Sequence, residues 1–293
     1  MSLWAFKIGK WRPVYSLGLF YLRYSPFKLF KKILLDGVTG YTPRDIRFTN
    51  KDGIIFHLDI AERVQKGIFC FHYYGPEDVA AFRKFIKPGC VVFDIGANVG
   101  QYALLASRLV ADTGRVYAFE PNQAIFLRLK ENVELNAAGN VFLVPKAVAA
   151  ESKTMRFYPP SEETCQDIGS LLPAQGTSSN TEVEVEAVSL DDFCDMNGIE
   201  RVDFLKVDAE GYDLEVLKGA VRMMARNPNL VVMAEIVESL LKQVQTTPAD
   251  FYDFMEKRGF KPYVVTKTGR LRPLRGEKPA SLLNVFFIPG RRA

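Results

Sequence analysis

The chain has 293 residues, 48% of them hydrophobic and 25% charged, with a formal net charge of +4. That composition leaves room for a full core as one large domain plus extensions. The mild charge does not by itself imply a nucleic-acid partner, none is expected, and no apolar run approaches the roughly 18 residues of a membrane span.

Four cysteines, Cys70, Cys90, Cys165 and Cys194, include no C-x-x-C pair, and Cys90 lies in an apolar stretch. With no A-x-A-like cleavage signal either, the expectation is reduced thiols in a cytoplasmic enzyme. Residues 1–35 interleave basic residues (Lys7, Lys10, Arg12, Arg23) with aromatics (Trp4, Phe6, Trp11, Tyr15), and the first acid is Asp36. Such a segment suits an anionic membrane surface or an acidic partner, or else packs on its own domain or on a second subunit. From Asp45 to Asp59 the apolar residues alternate around Asn50-Lys51-Asp52-Gly53, which predicts a β-hairpin with His57 on its polar face. The expected division is therefore 1–70, an arm and hairpin extension, and 71–293, the main domain. His72 precedes a helix that starts at Pro76 with acids Glu77 and Asp78 in its first turn, so 70–78 is a candidate rim of a site.

The stretch Val91–Pro121 organises the rest. It reads as a buried strand (Cys90–Ile95), a turn (Gly96-Ala97-Asn98-Val99-Gly100), a helix (Gln101–Val110) and a second strand (Arg115–Phe119) ending at Glu120. Parallel strands of this kind bind ligands beyond their carboxyl ends. Asp94 and Glu120 both lie there, and a carboxylate at the end of the second strand can accept from both hydroxyls of a ribose. The turn lacks the G-x-G-x-x-G spacing of a dinucleotide fold, which disfavours a nicotinamide-dependent oxidoreductase. An acid two residues before the first glycine suits a ligand with an amine and no phosphate, such as S-adenosylmethionine (SAM). The glycines are expected to let the backbone approach that ligand.

A helix with Ile125, Leu129 and Val133 on one face follows, then a strand (Asn140–Val144) whose exit brings Ala147 and Val148 to where an adenine would lie. Residues 151–188 read as a hairpin plus a mobile loop at about 160–180. Val202–Val207 is a strand that delivers Lys206, Asp208 and Glu210, and Glu210–Met224 is expected to be one helix. For Asp208 and Glu210 the bland alternative is helix capping. Leu230–Ile236 is another buried strand, with Glu235 near its end. The segments Lys261–Thr266 and Leu282–Ile288, with no helix between them, form an antiparallel pair.

Over roughly 75–290 the chain resembles the FkbM family of SAM-dependent methyltransferases. The resemblance is carried by Phe93-Asp94-Ile95-Gly96-Ala97-Asn98-Val99-Gly100, Ala118-Phe119-Glu120-Pro121-Asn122, Ser189-Leu190-Asp191-Asp192-Phe193 and Lys206-Val207-Asp208-Ala209-Glu210-Gly211. It continues through Leu217-Lys218-Gly219-Ala220 and Glu235, with Asp213 as the acid that follows E-G. It implies an α/β class I fold, a seven-stranded, mostly parallel sheet closed by an antiparallel C-terminal hairpin, and O-methylation of a sugar, glycan or polyketide-type hydroxyl. The alternatives are a peptide or other non-hydroxyl acceptor, or a non-catalytic SAM-binding docking subunit. Cofactor contacts are expected from Asp94, Gly96, Ala97, Asn98, Gly100, Glu120, Pro121, Ala147 and Val148. Asp208 is the first choice of base, with Glu210, Lys206, Glu235 and His72 as the other catalytic candidates. A divalent metal held by Asp208, Glu210 and Glu235 is the lesser alternative; with Lys206 adjoining the acids and no histidine near, none is expected. The expected partner is a small-molecule or glycan acceptor, and a homo-oligomer is compatible with the sequence.

Overall fold

The computed structural model describes residues 45–158, 171, 182–274 and 281–290. The basic aromatic arm, Cys165 and, apart from Leu171, the loop expected at about 160–180 lie outside the described residues. The chain divides into two compact units, Met1–Tyr74 and Gly75–Ala293. No helix among the described residues is long and apolar enough to cross a membrane.

The first unit carries the predicted hairpin, β1 (Ile46–Thr49) and β2 (Ile55–Leu58), with Phe48 opposite Phe56. Asn50 closes its turn, its Oδ1 accepting from the N–H groups of Asp52 (2.9 Å) and Ile54 (3.0 Å). Phe48, Ile54, Phe56 and Leu58 are buried. They pack with a helix over Arg63–Phe71 that the sequence reading did not anticipate. Gly67, a helix-weakening residue, hides it; a Cβ there would lie 2.7 Å from the Tyr74 ring.

The second unit is built on an eight-stranded sheet. Its elements are β3 (Val91–Ile95), β4 (Arg115–Phe119), β5 (Val141–Val144), β9 (Phe204–Val207), β10 (Val231–Val237), β11 (Phe260–Val265), β12 (Leu271–Pro273) and β13 (Ser281–Pro289). The order is β12-β11-β13-β10-β9-β3-β4-β5. Strands β10, β9, β3, β4 and β5 are parallel, whereas β13 and β11 run antiparallel at the C-terminal edge. This is the α/β class expected. The strand beyond seven is the three-residue β12, which folds back on β11 through a turn closed by the N–H of Gly269 to the carbonyl of Thr266. A separate three-stranded sheet joins β6 (Ala147–Val148), β7 (Lys153–Phe157) and β8 (Val183–Val188).

Both faces of the large sheet are covered. Phe93, Phe119 and Phe193 meet on one face (4.8 and 6.0 Å between rings), and Phe82, Phe204 and Phe286 on the other (4.9 and 6.3 Å). Full burial of each such ring contributes about 1.5–3 kcal/mol. The strands are thereby fixed, and so are the directions in which their carboxyl ends deliver side chains.

The single helix expected over Glu210–Met224 is two, Asp213–Lys218 and Val221–Arg226. The first starts late because Glu210 and Gly211 adopt left-handed φ values of 49° and 93°. The break falls where a Cβ on Gly219 would meet the Ala149 carbonyl at 2.2 Å. Asp191 caps the second helix, accepting from the N–H groups of Arg222 (2.9 Å) and Met223 (2.7 Å).

Candidate active site

Register alone brings the acids to one rim. Ile95 on β3 pairs with Phe119 on β4 and Val207 on β9, and Val207 pairs with Ala234 on β10. The next residues of the four strands are Gly96, Glu120, Asp208 and Glu235.

At the β3–β4 end the backbone turns tightly. Asn98 sits in the left-handed region, and its N–H donates to Glu120 Oε2 at 2.9 Å. The N–H of Asn122 donates to Glu120 Oε1 at 3.0 Å. Burial pushes the Glu120 carboxyl up to about 7, against the pull of these two donors. An ionised carboxylate offers about four acceptor positions, so about two remain open to further donors. The glycines serve the protein's own packing. A Cβ on Gly96 would lie 2.0 Å from the Asp208 carbonyl oxygen, so only glycine lets the β3 and β9 exits approach. Gly100 lies against Leu129. Ala97 is buried and donates its N–H to Phe119. Pro121 follows Glu120 directly at this rim, and Ala147 and Val148 are buried in β6 beside β8.

Between the two ends lies Lys206. It is 3% exposed, and its Nζ stands 3.1 Å from Asp94 Oδ1 and 3.4 Å from Asp208 Oδ2. It donates to the carbonyls of Ile95 (3.3 Å) and Gly96 (3.1 Å) and sits 5.4 Å from the Tyr102 ring centroid. Burial opposes its charge, but the Asp94 and Asp208 carboxylates outweigh that and hold the ammonium above its ordinary range. Asp94 is 1% exposed and is raised by burial against the attraction of Lys206. Its oxygens make no well-directed hydrogen bond, so the contact with Lys206 is ionic in character. Asp94 thus faces Lys206 beneath the rim, and of this trio only Asp208, with a 39% exposed side chain, reaches the surface.

At the β9–β10 end, oxygens of Asp208, Glu210 and Glu235 all lie within 4.8 Å of one another. Three local devices bring them together. A register shift between Ala234 and Ile236 against β13 re-aims Glu235. The left-handed backbone of Glu210 turns it off the helix that was expected to hold it. Gly211 then passes so close to Leu240 that a Cβ would lie 2.9 Å away. The helix-start acid is Asp213, which accepts from the N–H groups of Ala209 (3.3 Å) and Gly211 (3.1 Å) and is pushed up to about 7, mainly by burial. Burial, then the charges of Asp208, Glu210 and Asp213, push Glu235 up to about 9. Close carboxylates of this kind share a proton or attract a cation.

Three further residues adjoin this region: Asp78, from the 70–78 segment expected to form a rim, and Tyr102 and Asn284, which the sequence did not single out. Asn284 on β13 donates to Asp78 Oδ2 at 3.0 Å, and burial lifts that carboxyl to about 6. Tyr102 is half-buried, and desolvation together with the charges of Asp78, Asp208 and Asp94 raises its hydroxyl and keeps it protonated. Tyr102 is the second residue of the helix after the glycine turn, so its place was readable; Asp78 and Asn284 meet only through the tertiary fold. His72 belongs to the Met1–Tyr74 unit, where its ring stacks on Phe48 at 5.5 Å.

The methyltransferase FkbM domain family matches residues 94–262, which include Asp94, Glu120, Lys206, Asp208, Glu210 and Glu235. The chain is 30% identical over 146 residues to hexuronic acid methyltransferase AglP of Haloferax volcanii, covering 49% of this chain and 54% of that protein. It is 31% identical over 159 residues to 31-O-demethyl-FK506 methyltransferase FkbM of Streptomyces tacrolimicus, covering 46% and 60%. With 2-O-methyltransferase NoeI of Sinorhizobium fredii the identity is 24% over 151 residues, covering 48% and 61%. The chain thus spans little more than half the length of these relatives. With a matched region of this extent around the acid-lined rim, the chain belongs to the FkbM methyltransferase family.

Proposed function

We propose that this chain is a SAM-dependent O-methyltransferase acting on a hydroxyl of a sugar, glycan or polyketide-type natural product. The observation that carries the reading is the division of labour at the rim. Glu120 keeps about two acceptor positions for a ribose, while Asp208 is the exposed member of a trio whose other two members are buried. Relatives named for a hexuronic acid, for a 31-O-demethyl position and for a 2-O position support oxygen as the accepting atom.

When bound, SAM supplies an electrophilic methyl group on a sulfonium. The protein's part is to hold the two reactants in line, which supplies roughly 7–11 kcal/mol of the barrier reduction. Asp208 accepts the hydroxyl proton at its carboxylate, and Lys206 fixes where that carboxylate stands. Asp94 serves by holding Lys206, and the turn Gly96–Gly100 serves by presenting its backbone beside Glu120. Glu210 and Glu235 set the charge around Asp208. The test is calorimetry with SAM, followed by transfer of labelled methyl from SAM to a panel of glycosides and polyketide alcohols. Binding with transfer to oxygen supports the reading; transfer to nitrogen only, or binding of NAD in place of SAM, overturns it.

A further inference from the structure

Three devices converge on one outcome at the β9–β10 end. A register shift, a left-handed glutamate and a glycine whose Cβ would press on Leu240 bring three carboxylates within 4.8 Å of one another. Like charges this close cannot all ionise, and one carboxyl keeps its proton. The nearby cation relieves them only in part, because Lys206 is shared among Asp94, Asp208 and two backbone carbonyls.

We propose that Glu235 is where the acceptor's proton comes to rest, and that a cation in the cofactor site expels a proton from the Asp208–Glu210–Glu235 cluster. This rests on the methyltransferase reading given above. The acceptor oxygen forms its bond to the methyl carbon, the C–S electron pair returns to sulfur, and the hydroxyl proton passes to a carboxylate. One positive charge on sulfur and one negative charge on the protein disappear together. Asp208, held at the strand end beside Lys206, receives the proton first. Glu235 then retains it, because burial and the charges of Asp208, Glu210 and Asp213 favour its protonated form. Facing Glu235 are Lys206 from β9, Asp208 and Glu210 from the turn, and Asp213 from the following helix. Beyond them Glu238 is paired with Lys242 at 2.8 Å, and β13 brings no titratable side chain. Glu235 therefore stays protonated up to about pH 9 in the free protein. A bound sulfonium shifts that balance toward the carboxylate, and the cluster is then ready to accept a proton again.

The test needs no acceptor. SAM and S-adenosylhomocysteine (SAH) are each titrated into the full chain with EDTA present, in two buffers of different ionisation enthalpy. At about pH 8, SAM should expel close to one proton more from the wild type than from Glu235→Gln. SAH, which lacks the sulfonium charge, should show no such difference. Equal proton counts in the two proteins overturn the proposal, as does a Glu235-dependent proton with SAH, or one that appears only with added Mg²⁺. Absence of SAM binding overturns the methyltransferase reading as well; binding without the proton overturns this proposal alone. If Glu235→Gln does not fold, carboxyl-labelled glutamate reads the same event by NMR, the resonance being identified by its loss in Glu235→Asp. That resonance should be protonated in the free protein and ionised with SAM, and a resonance already ionised beforehand overturns the proposal.

Discussion

The two ends of the crevice solve the problem of a buried carboxylate in opposite ways. At the β3–β4 end Glu120 is met by two backbone N–H groups, so its charge has partners before any ligand arrives. At the β9–β10 end Asp208, Glu210 and Glu235 face one another, and burial with mutual repulsion lifts Glu235 far above its ordinary range. A site for holding should be preorganised and satisfied, whereas a site for proton transfer gains from a group poised between two states. Lys206 separates the two by pinning the turn carbonyls to Asp94 and Asp208.

The comparison breaks most visibly at Asp208. Asp208→Asn keeps the shape of the side chain and removes its charge, so kcat should fall by about 10²–10⁴-fold, the range for a general base. SAM affinity, set at the other end, should stay within a few-fold. Near-wild-type kcat would move the base to another residue, and a collapse of SAM binding would mean the ends are not separable.

Lys206→Met tests the pin between them. The variant leaves Asp94 buried beside no cation, and breaking a buried pair in this way costs about 3–5 kcal/mol. Urea unfolding should show that loss, and Asp94→Asn in the same chain should recover part of it, because the two substitutions share one contact. Additive losses in the double variant would refute the coupling.

Glu120→Ala should weaken SAM binding by about 10- to 150-fold, equivalent to roughly 1.5–3 kcal/mol for bonds to a charged group. Glu120→Gln, which retains one acceptor oxygen and so can keep part of the turn's hydrogen bonding, should lie between. Unchanged affinity by calorimetry in Glu120→Ala would remove Glu120 from the ribose.

How far the sequence disclosed this site depended on which force placed each residue. Strand ends were legible, since continuous apolar runs such as VVFDI and LVVMAEI mark buried parallel strands and so locate Asp94, Glu120 and Glu235. The start of the helix after β9 was not. The left-handed turn at Glu210–Gly211 is stabilised by Asp213, whose caps run to Ala209 and Gly211. From the sequence alone that pattern reads equally well as an acidic first turn. The reason for Gly96 was also hidden, because the atom that forbids a Cβ belongs to Asp208, more than a hundred residues away. The Asp78–Asn284 pair is a tertiary contact of the same kind.

The smallest expected effect sharpens the comparison through pH. Five buried or half-buried carboxyls are raised: Asp94, Asp78 to about 6, Glu120 and Asp213 to about 7, and Glu235 to about 9. In the unfolded chain they ionise near 3.8 (Asp) and 4.5 (Glu), so between those values and the raised ones the native state binds more protons than the unfolded state. Stability therefore falls as pH rises through that window, and levels off once the last group has ionised in the folded protein. Because neighbours share the effect and water screens part of it, the measurable loss between about pH 6 and pH 9 is on the order of 1–3 kcal/mol, or several degrees in Tm. The limb from about pH 8 to pH 9 belongs mainly to Glu235, since the groups near 6 and 7 have largely ionised by then. Glu235→Gln should flatten that limb and also reduce the slope below it, whereas Glu120→Gln should reduce the slope only below about pH 8. Thermal unfolding across the pH series decides it: a wild-type curve flat from pH 7 to 9 would mean that Glu235 carries its charge at neutral pH, and that the two ends of the crevice are electrostatically alike.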